Sequence, residues 1–421
     1  VKLKLSEPDS SKLAGESGRA VQVAMSIMVR MARIQGASHL LSIVSSHIDS
    51  ALYIGQSTLD YAENLVDLGA KVSVPTTLNV AGVDHQNWDR WAVPPEWAHK
   101  ARRQMLAYRA MGCKPTWTCA PYQTEERPSY GDQIAWGESS AIVFANSVLG
   151  ARSERYPDLL DICAAITGRV PAIGLHLAEN RVGQVLVRLK SISVELLGSD
   201  EFYPVLGHHI GKLVGSRVAA FDAIDATPSE DQFKALGAAM ASSGAAALFH
   251  WVGVTPEATT LQDTFGAKDP ETVIEVSMSD LVQARNELSS SPSNELDMVV
   301  LGSPHFSLNE LKALVPLIKG RSCDSDLRFL ITTGRGVRLL AEEMGLIEEL
   351  TAFGAEVTVD TCILTTPMLP PEIRTIMTNS AKYAYYTPGL LSREVVFGST
   401  EECVESAVIG KVLRDDRLWS V

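Results

Sequence analysis

The sequence predicts an α/β protein built from several β-α-β units, and three observations predict it. Short apolar runs alternate with longer amphipathic stretches, the rhythm of strands and helices in parallel sheets. Most apolar runs end in small polar or ionisable residues, the composition found where parallel strands open towards a ligand. The length of 421 residues is too great for one simple core and fits two or three domains.

Taken in order, residues 10 to 36 read as an amphipathic helix. Leu13, Val21, Val23, Ala24, Ile27, Met28 and Met31 recur at helical spacing, and Gly36 ends the run. Residues 39 to 45 read as a strand that exits into Ser45-Ser46-His47-Ile48-Asp49. A helix over 57 to 68 buries Leu59, Ala62, Leu65 and Val66, and a strand over 71 to 75 delivers Thr76-Thr77-Leu78-Asn79. Trp88, Trp91, Trp97 and Pro94-Pro95 mark a loop-rich insertion before a helix over 96 to 111, whose basic face is solvated. In Pro115-Thr-Trp-Thr-Cys119-Ala-Pro-Tyr122 a thiol stands on stiff backbone between two prolines and two aromatics. Residues 139 to 149 then read as a helix burying Ala141, Phe144, Ala145 and Val148.

A second unit follows from about 168. Residues 172 to 175 read as a strand exiting into His176-Leu-Ala-Glu179-Asn180-Arg181; helices are expected over 206 to 214 and 231 to 242, and a strand over 245 to 252. The polar run 286 to 294 reads as a linker. Residues 297 to 362 form a Rossmann-like β-α-β-α-β layer, with strands over 298 to 301, 329 to 332 and 357 to 359. Their exits carry His305, Arg335 and Asp360-Thr361-Cys362. Gly334-Arg-Gly336 lacks the third glycine of the dinucleotide fingerprint, with Leu339 in its place, which argues against an NAD-linked enzyme. Ser307 and Ser399 each precede a glutamate at capping-box spacing, Glu310 and Glu402. Cys403 then falls in the first turns of a helix, where the dipole favours a thiolate.

A net charge of −13 argues against nucleic acid or anionic membrane as partners, and no apolar run is long enough to span a bilayer. No signal peptide is visible and no Cys-x-x-Cys pair occurs, so a reducing, cytoplasmic setting is expected. His-Glu-x-x-His and Gly-x-Ser-x-Gly are absent. Three cysteines at element ends or on stiff loops (Cys119, Cys362 and Cys403) suit an iron–sulfur cluster with one open iron. Cys113 and Cys163 read as small core residues, and Cys323 as incidental. Glu138, Ser139, His176 and Lys382 are the candidates for catalysis; Lys382 reads equally as an anchor for a substrate carboxylate or as a surface ion pair. Ser46, His47, Asp49, Thr77, Asn79, Ser140, Asn146, Glu179, Asn180, His305 and Arg335 are the candidates for substrate binding.

Several of these segments together resemble one family. Leu13-Ala-Gly-Glu16, Pro75-Thr-Thr-Leu-Asn79, Thr118-Cys-Ala-Pro-Tyr122, the run from Glu138 to Arg152, Leu175-His-Leu-Ala-Glu-Asn-Arg181, Gly302-Ser-Pro-His305, Asp360-Thr-Cys362, Asn379-Ser-Ala-Lys382 and Glu402-Cys403 resemble the catalytic portion of aconitase X. The resemblance implies an aconitase-like catalytic core of three α/β units. The expected boundaries are 1–167 with 373–421, holding Cys119 and Cys403; 168–295; and 296–372, holding Cys362. It implies an iron–sulfur cluster on those three cysteines, with 2Fe–2S favoured over 3Fe–4S or 4Fe–4S. It also implies a small swivelling domain or subunit, which supplies a catalytic serine. Family members are dehydratases acting on cis-3-hydroxy-L-proline or on mevalonate 5-phosphate. Asp49 would repel a phosphate and pair with a proline ammonium, which favours the first. The rival of another class is a non-enzymatic iron or redox sensor on the same scaffold.

Overall fold

Around Met298–Phe306 the chain builds a five-stranded parallel sheet in the order Ala355–Thr358, Arg328–Thr333, Met298–Phe306, Thr375–Thr378, Glu394–Phe397. A computed structural model describes residues 2–222, 224, 226–266 and 268–420. The last two strands correct the expected division. Ile376 and Met377 pair with Met298 and Val299, so 373 onward belongs with the third unit and not with the first. Strand order reverses between Met298–Phe306 and Thr375–Thr378, the kind of crevice where open parallel sheets receive ligands. A cavity of about 300 Å³ lies there, lined by Gly302, Ser303, Pro304, Asn379 and Ser380 with residues of the helix Glu230–Gly244.

The exit of the central strand depends on one glycine. Gly302 has φ +102°, and a Cβ on it would lie 2.1 Å from Thr332 O. Only glycine lets the strand bend there, and the register with Arg328–Thr333 shifts between Leu301 and Phe306. Both expected capping boxes form: Ser307 with Glu310 and Ser399 with Glu402. Between Arg328–Thr333 and Ala355–Thr358 the chain forms two helices, Arg335–Glu343 and Leu346–Phe353, divided where Gly345 takes φ +73°.

The first unit has a parallel sheet in the order Thr76–Leu78, Ser45–Ile48, Ile134–Trp136. His47 and Thr77 therefore lie within strands, not beyond them. The stretch read as one strand over 39 to 45 contributes Leu40–Ser42, which pairs antiparallel with Arg169–Pro171. Residues 172 to 175 are not a strand; the chain passes through a short turn, Gly174–His176. The second unit's sheet runs Phe249–Trp251, Ala219–Phe221, Val185–Leu189, Thr272–Val276, all parallel.

Buried ion pairs tie the units together. Lys234 of the second unit pairs with Glu310 of the third, and Arg285 Nη2 reaches Glu402 Oε1 at 2.8 Å. No helix among the described residues is long and apolar enough to cross a membrane.

Candidate active site

The loops carrying Cys119 and Cys362 meet where the first and third units face each other. Thr118 N–H donates to Leu78 O (3.1 Å), which fixes the Cys119 loop to the exit of the edge strand Thr76–Leu78. Asp360 O accepts from Ala81 N–H (2.8 Å), which fixes the Cys362 loop to the segment after the same strand. Asp360 takes φ +62°, a strained position for a residue with a side chain, and its carboxylate is held by Arg335. His305 joins the loops: its Nδ1 lies 3.0 Å from the Thr118 hydroxyl and its Nε2 3.1 Å from Thr361 O. Its backbone N–H donates to Cys119 Sγ at 3.2 Å.

As residues Cys119 and Cys362 are half-buried, whereas Cys113, Cys163 and Cys403 are buried. The two thiols are electrostatic neighbours. Burial, and then the Glu138 carboxylate, push the Cys119 thiol up to about 12; burial also raises Cys362.

Lys382 stands beside both sulfurs, one residue into the helix Ala381–Leu391. Its Nζ donates to Glu138 Oε1 (2.6 Å) and to Ser140 Oγ (2.8 Å). The other Glu138 oxygen caps the helix Ser139–Phe144 by accepting from Ala141 N–H (2.7 Å). This is neither a surface pair nor a free anchor: the two side chains are 13% and 7% exposed. Ser139 reaches Glu138 only at 3.5 Å.

Asp49 lies next to this pair, hydrogen-bonded by Asn79. Gly137 makes the approach possible, since a Cβ there would fall 2.8 Å from Asp49 Cβ and 2.9 Å from Asp161 Oδ2. Asp161 is a site residue that the sequence reading missed. Its buried carboxylate accepts from the backbone of Asp49, Ser50 and Ile162 and from the Ser50 hydroxyl. Burial, then the charges of Glu138 and Asp161, lift the Asp49 carboxyl to about 7. The folded protein thus holds this proton more tightly than the unfolded chain. Stability contributed by that proton is full near pH 4, falls as pH rises towards about 7, and is level above. Asp49→Asn is expected to abolish that slope, gaining about 1–3 kcal/mol on the native protein between about pH 5 and pH 8 in urea titrations. An unchanged difference across that range would show that Asp49 does not carry the proton.

The remaining expected residues divide. His47 is fully buried with Nδ1 2.8 Å from the Thr77 hydroxyl; burial lowers its pKa to about 3, so the ring is neutral. His47 Nε2 and Asn79 Oδ1 are buried without a hydrogen-bond partner among the described residues. Ser46, Asn146, His176 and His305 are instead structural ties. The Ser46 hydroxyl bonds Ala135 O (2.7 Å), and the Asn146 amide spans Ser153 and Ala247. His176 gives both ring nitrogens to Tyr156 and Gln133. Glu179 and Asn180 are exposed, in a short turn away from any strand exit. Arg335 acts through Asp360.

Cys403 does not join the other two sulfurs. It is fully buried in the apolar core under the third sheet, packed among residues such as Val404, Ala407 and Met377. The charges that act on it are Glu402 and Glu201, and burial drives its pKa far up. Its helix belongs to the third unit, and the sheet covers the position that the sequence alone left open. Among the described residues no three His, Cys, Asp or Glu side chains gather as a metal site. The donor set nevertheless fits a soft metal in part. Two neighbouring thiols are soft ligands that would lose their protons on binding. Beside them, the Tyr122 and Tyr383 hydroxyls are buried without partners among the described residues, each within the electrostatic reach of one sulfur.

Parallel α/β units whose strand exits, in the first and third, gather two thiols, a buried lysine–carboxylate pair and an aspartate with a raised pKa define an aconitase-like catalytic core. Profiles of the aconitase X first, second and third domains match residues 2–179, 183–286 and 296–409. The chain belongs to the aconitase X family. It is 45% identical to the cis-3-hydroxy-L-proline dehydratase of Hypocrea jecorina over 97% of this chain and 69% of that protein. The enzyme of the same name from Pseudomonas aeruginosa is also 45% identical, over 96% of this chain and 70% of that protein. The phosphomevalonate dehydratase large subunit of Methanosarcina mazei is 37% identical over 97% and 98%. The holo-form crystal structure of Thermococcus kodakaraensis aconitase X superposes with a TM-score of 0.87 at 35% identity, covering 96% of this chain and all of that one.

Proposed function

We propose that this chain is the catalytic portion of a hydro-lyase that removes water from cis-3-hydroxy-L-proline, giving an enamine that tautomerises to 1-pyrroline-2-carboxylate. The observation that carries the choice of substrate is the chemistry of the strand exits. The Asp49 carboxyl and Asn79 Oδ1 are hydrogen-bond acceptors there, and acceptors suit a secondary ammonium. The cations nearby, Lys382 and Arg335, are already paired with Glu138 and Asp360, so neither is free for a phosphate. The higher identity to the hydroxyproline enzymes supports the same reading.

In this reading Asp49 gives up its proton when the ring ammonium arrives and pairs with it. Asn79 and His47 orient the ring, and the Glu138–Lys382 pair holds a fixed positive charge beside the leaving hydroxyl. An iron–sulfur group held by Cys119 and Cys362 would supply a Lewis acid for that hydroxyl. Two thiolates are the usual protein complement of one iron in a 2Fe–2S cluster, which keeps that cluster ahead of the larger ones. A small swivelling domain, fused or separate, would contribute the base that takes the C2 proton.

The test is a dehydration assay of the iron-loaded chain, with and without a swivelling domain supplied in trans, on cis-3-hydroxy-L-proline and on mevalonate 5-phosphate. Turnover of the first alone is expected. Turnover of the second alone would overturn the substrate assignment, and turnover of neither would favour a sensor.

A further inference from the structure

We infer that His305 is a positioning residue that sets the separation of the Cys119 and Cys362 sulfurs by clamping the two loops that carry them. The inference rests on the pair acting as a metal-binding dithiol, as proposed above. Each cysteine follows directly on a threonine, and His305 bonds both: the Thr118 hydroxyl through Nδ1 and the Thr361 carbonyl through Nε2. Because a backbone carbonyl can only accept, Nε2 carries the ring proton and Nδ1 accepts from Thr118. Thr118 Oγ1 in turn accepts from Ala120 N–H (3.1 Å), so the turn around Cys119 closes on the imidazole from both sides of the sulfur.

The clamp is itself rigid. His305 is 1% exposed, and its carbonyl is approached by Gln123 Nε2 and by the buried Lys234 Nζ, each at 3.5 Å. The Thr333 hydroxyl donates to Phe306 O (2.6 Å), anchoring the next residue to the neighbouring strand. Every polar atom of His305 is thus spent on holding segments of the three units, and none is left to meet a substrate. A ring with both nitrogens committed, one to each sulfur-bearing loop, matches the role that outer partners play around metal ligands.

The test uses the full 421-residue chain, reduced and metal-free, with two probes of the sulfur pair. Cd²⁺ is followed by its thiolate absorbance, and phenylarsine oxide bridges two nearby thiols without any metal. His305→Ala is expected to weaken Cd²⁺ binding about 10–100-fold and to slow arsenical bridging. Thr118→Val, which removes only one tie, should act in the same direction by less. His305→Gln, whose amide can still donate to Thr361 O, should recover part of the loss. Circular dichroism sets the folded fraction to which each value is normalised. If His305→Ala does not fold, the other two variants decide. Cd²⁺ and arsenical binding within about twofold of native in the variants would overturn the inference, as would a native chain that bridges neither probe. A native chain that takes the arsenical but not Cd²⁺ would sink the metal reading while leaving the clamp standing.

Discussion

Replacing Cys362 by alanine is expected to remove both the visible iron–sulfur absorption and the dehydratase turnover, the latter by at least about a thousandfold, or about 4 kcal/mol of transition-state stabilisation. Cys119→Ala should do the same, because the two thiols lie within electrostatic reach of each other and, among the described residues, no third thiol acts on Cys119. Cys403→Ala makes the contrast that decides the ligand set. Its sulfur lies in apolar packing, so the expected cost is about 1–2 kcal/mol of stability for a small void, with absorption and turnover kept. Anaerobic purification followed by ultraviolet–visible spectra and steady-state assays reads all three. Retention of colour and activity in Cys362→Ala would sink the cluster assignment, and their loss in a folded Cys403→Ala would restore the three-cysteine set.

Lys382→Met is expected to cost about 3–5 kcal/mol of stability as well as most of the activity. The variant leaves the Glu138 carboxylate buried with no cation to face it, and an orphaned buried charge is penalised more heavily than a missing pair. Adding Glu138→Gln should return a large part of the lost stability, because the amide oxygen can still accept from Ala141 N–H. Activity should stay low in the double variant, since the fixed positive charge is gone. Urea titration of the two single variants and the double gives the coupling directly. Additive effects would mean that Lys382 and Glu138 do not stabilise each other, and the electrostatic reading of the site would fall with them.

The parts of this molecule that could be read from sequence are those written locally. The capping boxes at Ser307 and Ser399 are set by residues three apart, and the stiffness around Cys119 comes from its own prolines. The strand Thr375–Thr378 was missed because a short run buried on both faces has no period to distinguish it from a loop or helix fragment. That miss moved Cys403 into the wrong unit, where the capping box of Ser399 and Glu402 suggested an open helix start. Three exit histidines looked alike in sequence but do different work. His47 leaves Nε2 without a partner among the described residues, whereas His176 and His305 are consumed by Tyr156, Gln133, Thr118 and Thr361, partners that come from other segments. Asp161 did leave a trace. A lone carboxylate within Leu160-Asp-Ile-Cys-Ala-Ala-Ile must be satisfied once that helix is buried, and here it gathers the backbone of the Asp49 turn.

The ties across the first and third units also dictate an order of maturation. Cys119 and Glu138 are made early in the chain, Cys362 and Lys382 near its end, and the two halves meet only when the third sheet has closed against the first. Until then a nascent chain holds only one of the two thiols proposed to bind iron, and one thiolate alone holds it poorly. If Cys119 and Cys362 hold the metal as proposed, loading waits until the third unit has closed against the first, so that a loaded molecule is one in which those two units have already come together.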